Sequence, residues 1–282
     1  MFNSDLKKES IKNLEKSITE YEKKTKTTKR KAEELFTIRQ NSGEDIILSV
    51  EKYINKLSNT PKEFNKTFLQ YKSEFKVFSN LIDSFNVESA NVEIKAGGGA
   101  VAGVAAGVGT AALMPTAAMA VATTFGTAST GTAIATLSGA AATNASLAWL
   151  GGGALAAGGS GMSGGAAFLA LAGPIGIGIG AVGLIGGGLF ASSKNKNLAE
   201  RANKQRKEVE TTVKTLEAST VEINGLIKLT NEHSRGVKEM LVILSKSAPS
   251  NYLSFSQSHK QMLSALINHI ESLSMLINKK VT

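Results

Sequence analysis

Between Lys95 and Lys194 lie 98 consecutive residues without a single Asp, Glu, Lys, Arg or His. A globular domain of ordinary composition carries a charged residue at about every fourth position. A gap of this length therefore excludes one mixed-composition domain. It holds 25 of the chain's 28 glycines, while all 32 basic and 23 acidic side chains fall outside it. The chain divides into an N-terminal arm (1–95), an uncharged Gly/Ala-rich centre (96–193) and a C-terminal arm (194–282).

At about 20 residues per crossing, the centre is long enough for up to four membrane spans. The expected division is 99–121, 131–150, 152–172 and 174–193, with turns at Phe125-Gly126-Thr127, Gly151-Gly152-Gly153 and Gly173-Pro174. Small residues recur at four-residue spacing: Gly99, Gly103 and Gly107, then Gly161 and Gly165, Gly176 and Gly180, Gly183 and Gly187. On a helix this spacing makes a flat groove where another backbone approaches closely. Only the last span is rich in Leu and Ile, so the first three insert marginally and depend on packing against one another. Trp149, the single tryptophan, falls near a predicted span end, where an indole suits the membrane interface. Lys194, Lys196 and Arg201 open a basic cluster directly after the last span. They predict contact with anionic lipid and place that flank on the cytoplasmic side.

Both arms have helical spacing. In the first, Ile11, Leu14, Ile18, Tyr21, Thr25, Thr28, Ala32 and Leu35 alternate steps of three and four. Asn41-Ser42-Gly43 reads as a break, and Asn59-Thr60-Pro61 as a stop and restart with Thr60 as N-cap. Phe64, Phe68, Tyr71, Phe75, Phe78, Ile82 and Phe85 then form an aromatic stripe that needs a partner helix. The second arm supplies one over 198–247, with Leu216, Ile223 and Leu226 on its stripe and polar Gln205, Thr212, Ser219, Thr230 and His233 among them. A last helix carries Met262 to Ile277. The expected fold is all-α: a long antiparallel bundle or coiled coil built from both chain ends, flanking an apolar helical membrane segment.

Several chemistries are not expected. Cysteine is absent, so there is no thiol nucleophile or thiolate metal site. Gly178, Gly180 and Gly183 match Gly-x-Gly-x-x-Gly but lie in an apolar Gly/Ile alternation, and the first acidic residue downstream, Glu200, falls 17 residues after Gly183 among basic residues. His233, His259 and His269 lack metal-ligand spacing, and no nucleophile–base pair stands out. No catalytic residue, cofactor, metal or nucleic-acid partner is predicted.

The stretch from Gly139 through Asn144, Trp149 and Gly151-Gly152-Gly153 to Gly158 resembles the Gly/Ala core of the interferon-inducible small hydrophobic membrane proteins. That resemblance implies membrane residence and perturbed membrane integrity. In overall plan the chain is similar to α-helical pore-forming toxins of the cytolysin A and haemolysin BL type, whose long soluble helices flank an apolar stretch. The expected function is a membrane-inserting helical effector that oligomerises through glycine faces and permeabilises a bilayer. The expected partners are the lipid bilayer and further copies or related helical subunits. It would sit in a bacterial inner membrane with cytoplasmic arms, or begin as a soluble form that inserts into a target membrane. The alternatives are a constitutive membrane-anchored coiled-coil scaffold or sensor subunit, and a phage structural or lysis component.

Overall fold

The computed structural model describes residues 4–96, Ala120, Thr124 and 195–281. Its elements are α1 (Ser4–Ile54), α2 (Lys62–Ala96), α3 (Asn195–Ser247), a 3-10 turn (Tyr252–Ser254) and α4 (Gln257–Ile277). No strand occurs among the described residues, and no described helix is long and apolar enough to cross a membrane. Apart from Ala120, the four predicted spans, with their nine packing glycines and Trp149, lie outside the described residues, as does Lys194.

Each arm is a helical hairpin. At 1.5 Å per residue, α1 and α3 each run about 80 Å. They pair side by side in the same direction, which corrects the antiparallel expectation for these two helices. The cross-helix bonds Asn203 to Ser10, Glu210 to Ser17, Glu217 to Lys24 and Lys238 to Asp45 all join residues 193 apart. A constant difference is possible only for parallel helices in register, since an antiparallel pair keeps a constant sum. Antiparallel packing occurs within each arm, between α1 and α2 and between α3 and α4. The reason is connectivity: each arm turns back on itself, so the two arms lie together as two similarly oriented hairpins.

The hairpin loops meet at one end. Ser58 N donates to Ser250 O at 2.8 Å, Tyr252 N donates to Ser58 O at 3.0 Å, and Asn59 Nδ2 donates to Asn251 Oδ1 at 3.0 Å. Asn59 takes a left-handed backbone conformation with φ 56°, which Asn tolerates better than most side chains. The expected cap is displaced by one residue. Thr60 Oγ1 turns back and donates to Leu57 O at 2.7 Å, while Pro61 O receives Asn65 N and closes the first turn of α2. At α4, Ser256 does cap, accepting from His259 N at 3.2 Å.

The predicted break at Asn41-Ser42-Gly43 is absent, since α1 is continuous from Ser4 to Ile54. Gly43 is buried, and a Cβ there would stand 2.2 Å from the Phe75 ring. The glycine lets α2 approach, and its helix-weakening effect is overridden by that packing.

The main core lies near the loops, where all four helices are present. Ile46, Val50, Tyr53, Phe64, Phe68 and Tyr71 of the first arm pack with Val237, Leu241, Leu244, Leu263, Leu266 and Ile270 of the second. Farther from the loops, α1 and α3 continue beyond α4 with a thinner seam of Leu14, Tyr21, Ala202, Val209, Val213 and Leu216. Hydroxyls interrupt this seam: Ser10, Ser17, Thr28, Ser219 and Thr230 are all buried. Thr28 and Thr220 share a 2.8 Å hydrogen bond across it. Each small polar pair buries less apolar area than a Leu pair, so the seam is weaker per turn than the four-helix end.

Candidate functional site

The C-terminal tail after α4 joins four parts of the chain. Arg39 of α1 continues the stripe set by Ala32 and Leu35, so its side chain enters the core. It is fully buried, and Nη2 donates to Leu276 O at 2.8 Å and to Lys279 O at 2.7 Å. Leu276 O belongs to the last turn of α4, where the helix dipole leaves partial negative charge that a guanidinium complements, and Lys279 follows just after the helix end. From the tail, Asn278 Nδ2 donates to both Glu74 O and Glu74 Oε2 of α2, at 2.9 Å each. Val281 N then donates to Thr124 O at 2.7 Å. Thr124 and Ala120 belong to the uncharged centre and are fully buried.

Positive charge is concentrated here at a cost. Burial pulls Arg39 down to about 10. Burial, with repulsion from Arg39, pulls Lys280 down to about 8. Lys280 therefore enters the fold partly against its charged state.

The neighbouring junction between α3 and α4 holds two imidazoles. His233 Nδ1 and His269 Nδ1 are 3.0 Å apart, with ring centroids at 5.3 Å. The close approach depends on Gly236, where a Cβ would stand 2.4 Å from His269 Nε2. Burial lowers the His269 pKa first and the His233 ring lowers it further, opposed by Glu232 and Glu239. Among the described residues no group of three His, Asp or Glu side chains can hold a metal ion.

The structure sorts the predicted site residues unevenly. Phe64, Phe68, Tyr71 and Phe78 are buried between helices, with Phe36 and Phe78 in ring contact at 5.6 Å. Phe75 is half-buried against Gly43. Leu216, Ile223 and Leu226 are buried on α3. Lys196 is exposed and makes a loose 3.9 Å pair with Glu200. Arg201 lies on α3, and its side chain is outside the described residues.

The tail junction went unread from sequence. One signal for it existed, a basic residue at a core position of a helical stripe. The pairing of His233 with His269 carried no sequence signal, because the two belong to different helices 36 residues apart. The chain matches no protein-family model, no curated protein and no solved structure.

Proposed function

We propose that the protein is a membrane-permeabilising effector whose uncharged centre is held against the helical arms before it inserts. The observation that carries this reading is the seat of Thr124: a residue from a 98-residue charge-free run is fully buried and tied through its carbonyl to the tail of the opposite arm. A permanent anchor has no need of that contact, because its apolar residues would already be in lipid. Connectivity supports the same reading. The loops gather at one end, and both Ala96 and Asn195, which bound the centre, lie on the side away from them. The arms therefore form a rod with its apolar cargo attached away from the sealed loop end. The thin, hydroxyl-studded α1–α3 seam lies along that part of the rod and suits rearrangement.

Release of an entrapped dye from liposomes by the full chain tests the proposal. Leakage should scale with protein concentration and with anionic lipid. Trp149, the only tryptophan, reports insertion through a blue shift and quenching by brominated lipid. Absence of leakage across lipid compositions, pH values and protein concentrations refutes the reading.

A further inference from the structure

Resting on that membrane reading, we propose that His233 and His269 form an acid-sensitive lock between α3 and α4 that keeps the tail, and through it Thr124, in place. The geometry states the requirement. Two Nδ1 atoms at 3.0 Å can hold one proton between them, one nitrogen donating and the other accepting. A neutral pair, with two ring protons in total, or a pair with one positive charge, with three, fits this arrangement in some tautomer. When both rings are imidazolium, both Nδ1 atoms bear hydrogen, the bond is lost and two like charges face each other at contact distance.

Both rings are half-buried at the α3–α4 contact, and His269 rests on Gly236 with its ring inside the volume a side chain would occupy, so in this proposal their repulsion is relieved by separation of α4 from α3. Separation propagates because α4 carries the tail. Arg39 holds the carbonyls of Leu276 and Lys279, Asn278 holds Glu74, and Val281 holds Thr124.

Charges from every packed element bear on the pair. On α3, Glu232 and Glu239 oppose the lowering of the His269 pKa, which burial and the His233 ring dominate, and Glu239 is itself paired with Arg235 at 3.7 Å. On α1, Arg39 turns its guanidinium to the end of α4, and Asp45 is engaged by Lys238 at 3.0 Å. On α2, Glu74 accepts from Asn278. On α4 itself, Glu271 is exposed. Among the described residues none of these is a carboxylate hydrogen-bonded to either imidazole, so Glu232 and Glu239 act on the pair only from a distance.

The sign is set by the depressed His269 pKa. The unfolded or opened state binds the proton more readily, so the lock contributes fully above about pH 6.5 and is lost as pH falls.

Hydrogen exchange of α4 amides in the full chain, corrected for intrinsic exchange, reads the lock directly. We expect protection to fall by about tenfold per pH unit for each proton taken up as pH drops from 6.5 to 5. His233→Gln removes one ring of the pair and should flatten that dependence, and His269→Gln serves equally if the first variant folds poorly. Unchanged α4 protection down to pH 5 overturns the lock, as does the same acid loss in both variants. Dye release measured in parallel separates the two readings. Acid loss of α4 protection without leakage leaves the lock standing and refutes the membrane function. Leakage with no change in α4 protection does the reverse.

Discussion

Arg39→Met is the most informative single substitution outside the uncharged centre. Methionine approximates the buried volume of the arginine stem, so the cavity contribution stays small and the result reports the guanidinium. Two hydrogen bonds from a charged donor disappear, to Leu276 O and Lys279 O. A hydrogen bond from a charged group contributes about 1.5–3 kcal/mol, which for the two gives about 3–6 kcal/mol, and Leu276 O keeps its backbone bond from Lys279 N at 3.2 Å. Loss of the favourable charge at the end of α4 adds to this, within the same range. Two gains oppose it: the guanidinium no longer has to be desolvated, and Lys280 is relieved of a like charge. The expected net destabilisation of the four-helix end is about 2–4 kcal/mol. Urea unfolding followed by circular dichroism measures the total, and hydrogen exchange localises the loss to α4 and the tail. A change below about 1 kcal/mol, or one spread evenly over α1 and α3, would refute the reasoning. The double variant with Lys280→Met should show coupling, because the two cations repel. Lys280→Met should gain less in the Arg39→Met background than in the wild type.

Lys280→Met alone should stabilise the protein at pH 7 by about 1–3 kcal/mol, since the wild-type chain buries a cation whose pKa falls from 10.5 to about 8. The unfolded chain holds that proton more tightly, so wild-type stability rises with pH between about 8 and 10 and the advantage of the variant shrinks over the same window. Thermal melts at pH 7, 8.5 and 9.5 follow it, and a gain independent of pH contradicts the assigned cause. Glycine substitutions should split by environment. Gly225 faces open space, so Gly225→Ala should stabilise by about 1 kcal/mol, whereas Gly43→Ala drives a Cβ into Phe75 and should destabilise by a similar amount. Equal effects at both sites would remove the argument that Gly43 admits α2. In the centre, replacing Gly103 and Gly180 by Leu together should abolish oligomers in detergent or lipid while arm helicity by circular dichroism is unchanged; persistence of the oligomers rules out the glycine-face reading.

Legibility followed the range of the physics. The spacing of Leu14, Tyr21, Thr28, Ala32 and Leu35 marks one face of a helix because neighbours three and four apart must share it, and those residues are buried. The single helix over 195–247 and the stop before Pro249 were likewise local matters of period and turn chemistry. Intrinsic propensity marks Gly43 as a breaker, while only the Phe75 ring seated on it explains why α1 continues. Thr60 was misplaced by one residue as a cap, since its hydroxyl found the Leu57 carbonyl instead.

Helix direction lies beyond periodicity altogether. A heptad stripe has the same spacing whether its partner runs with it or against it, so the arms' stripes were equally consistent with both. The parallel pairing of α1 and α3 is decided by contacts between residues 193 apart, the contact of His233 with His269 by the antiparallel packing of α4 on α3, and the seat of Thr124 by the tail that follows α4. The amino-acid sequence by itself determines that two charged helical arms enclose a 98-residue run with no charge, because composition and period are properties of the chain alone. Only the tertiary structure decides that the arms lie parallel and that Arg39, the tail and Thr124 meet at one junction, because those energies belong to pairs far apart in sequence.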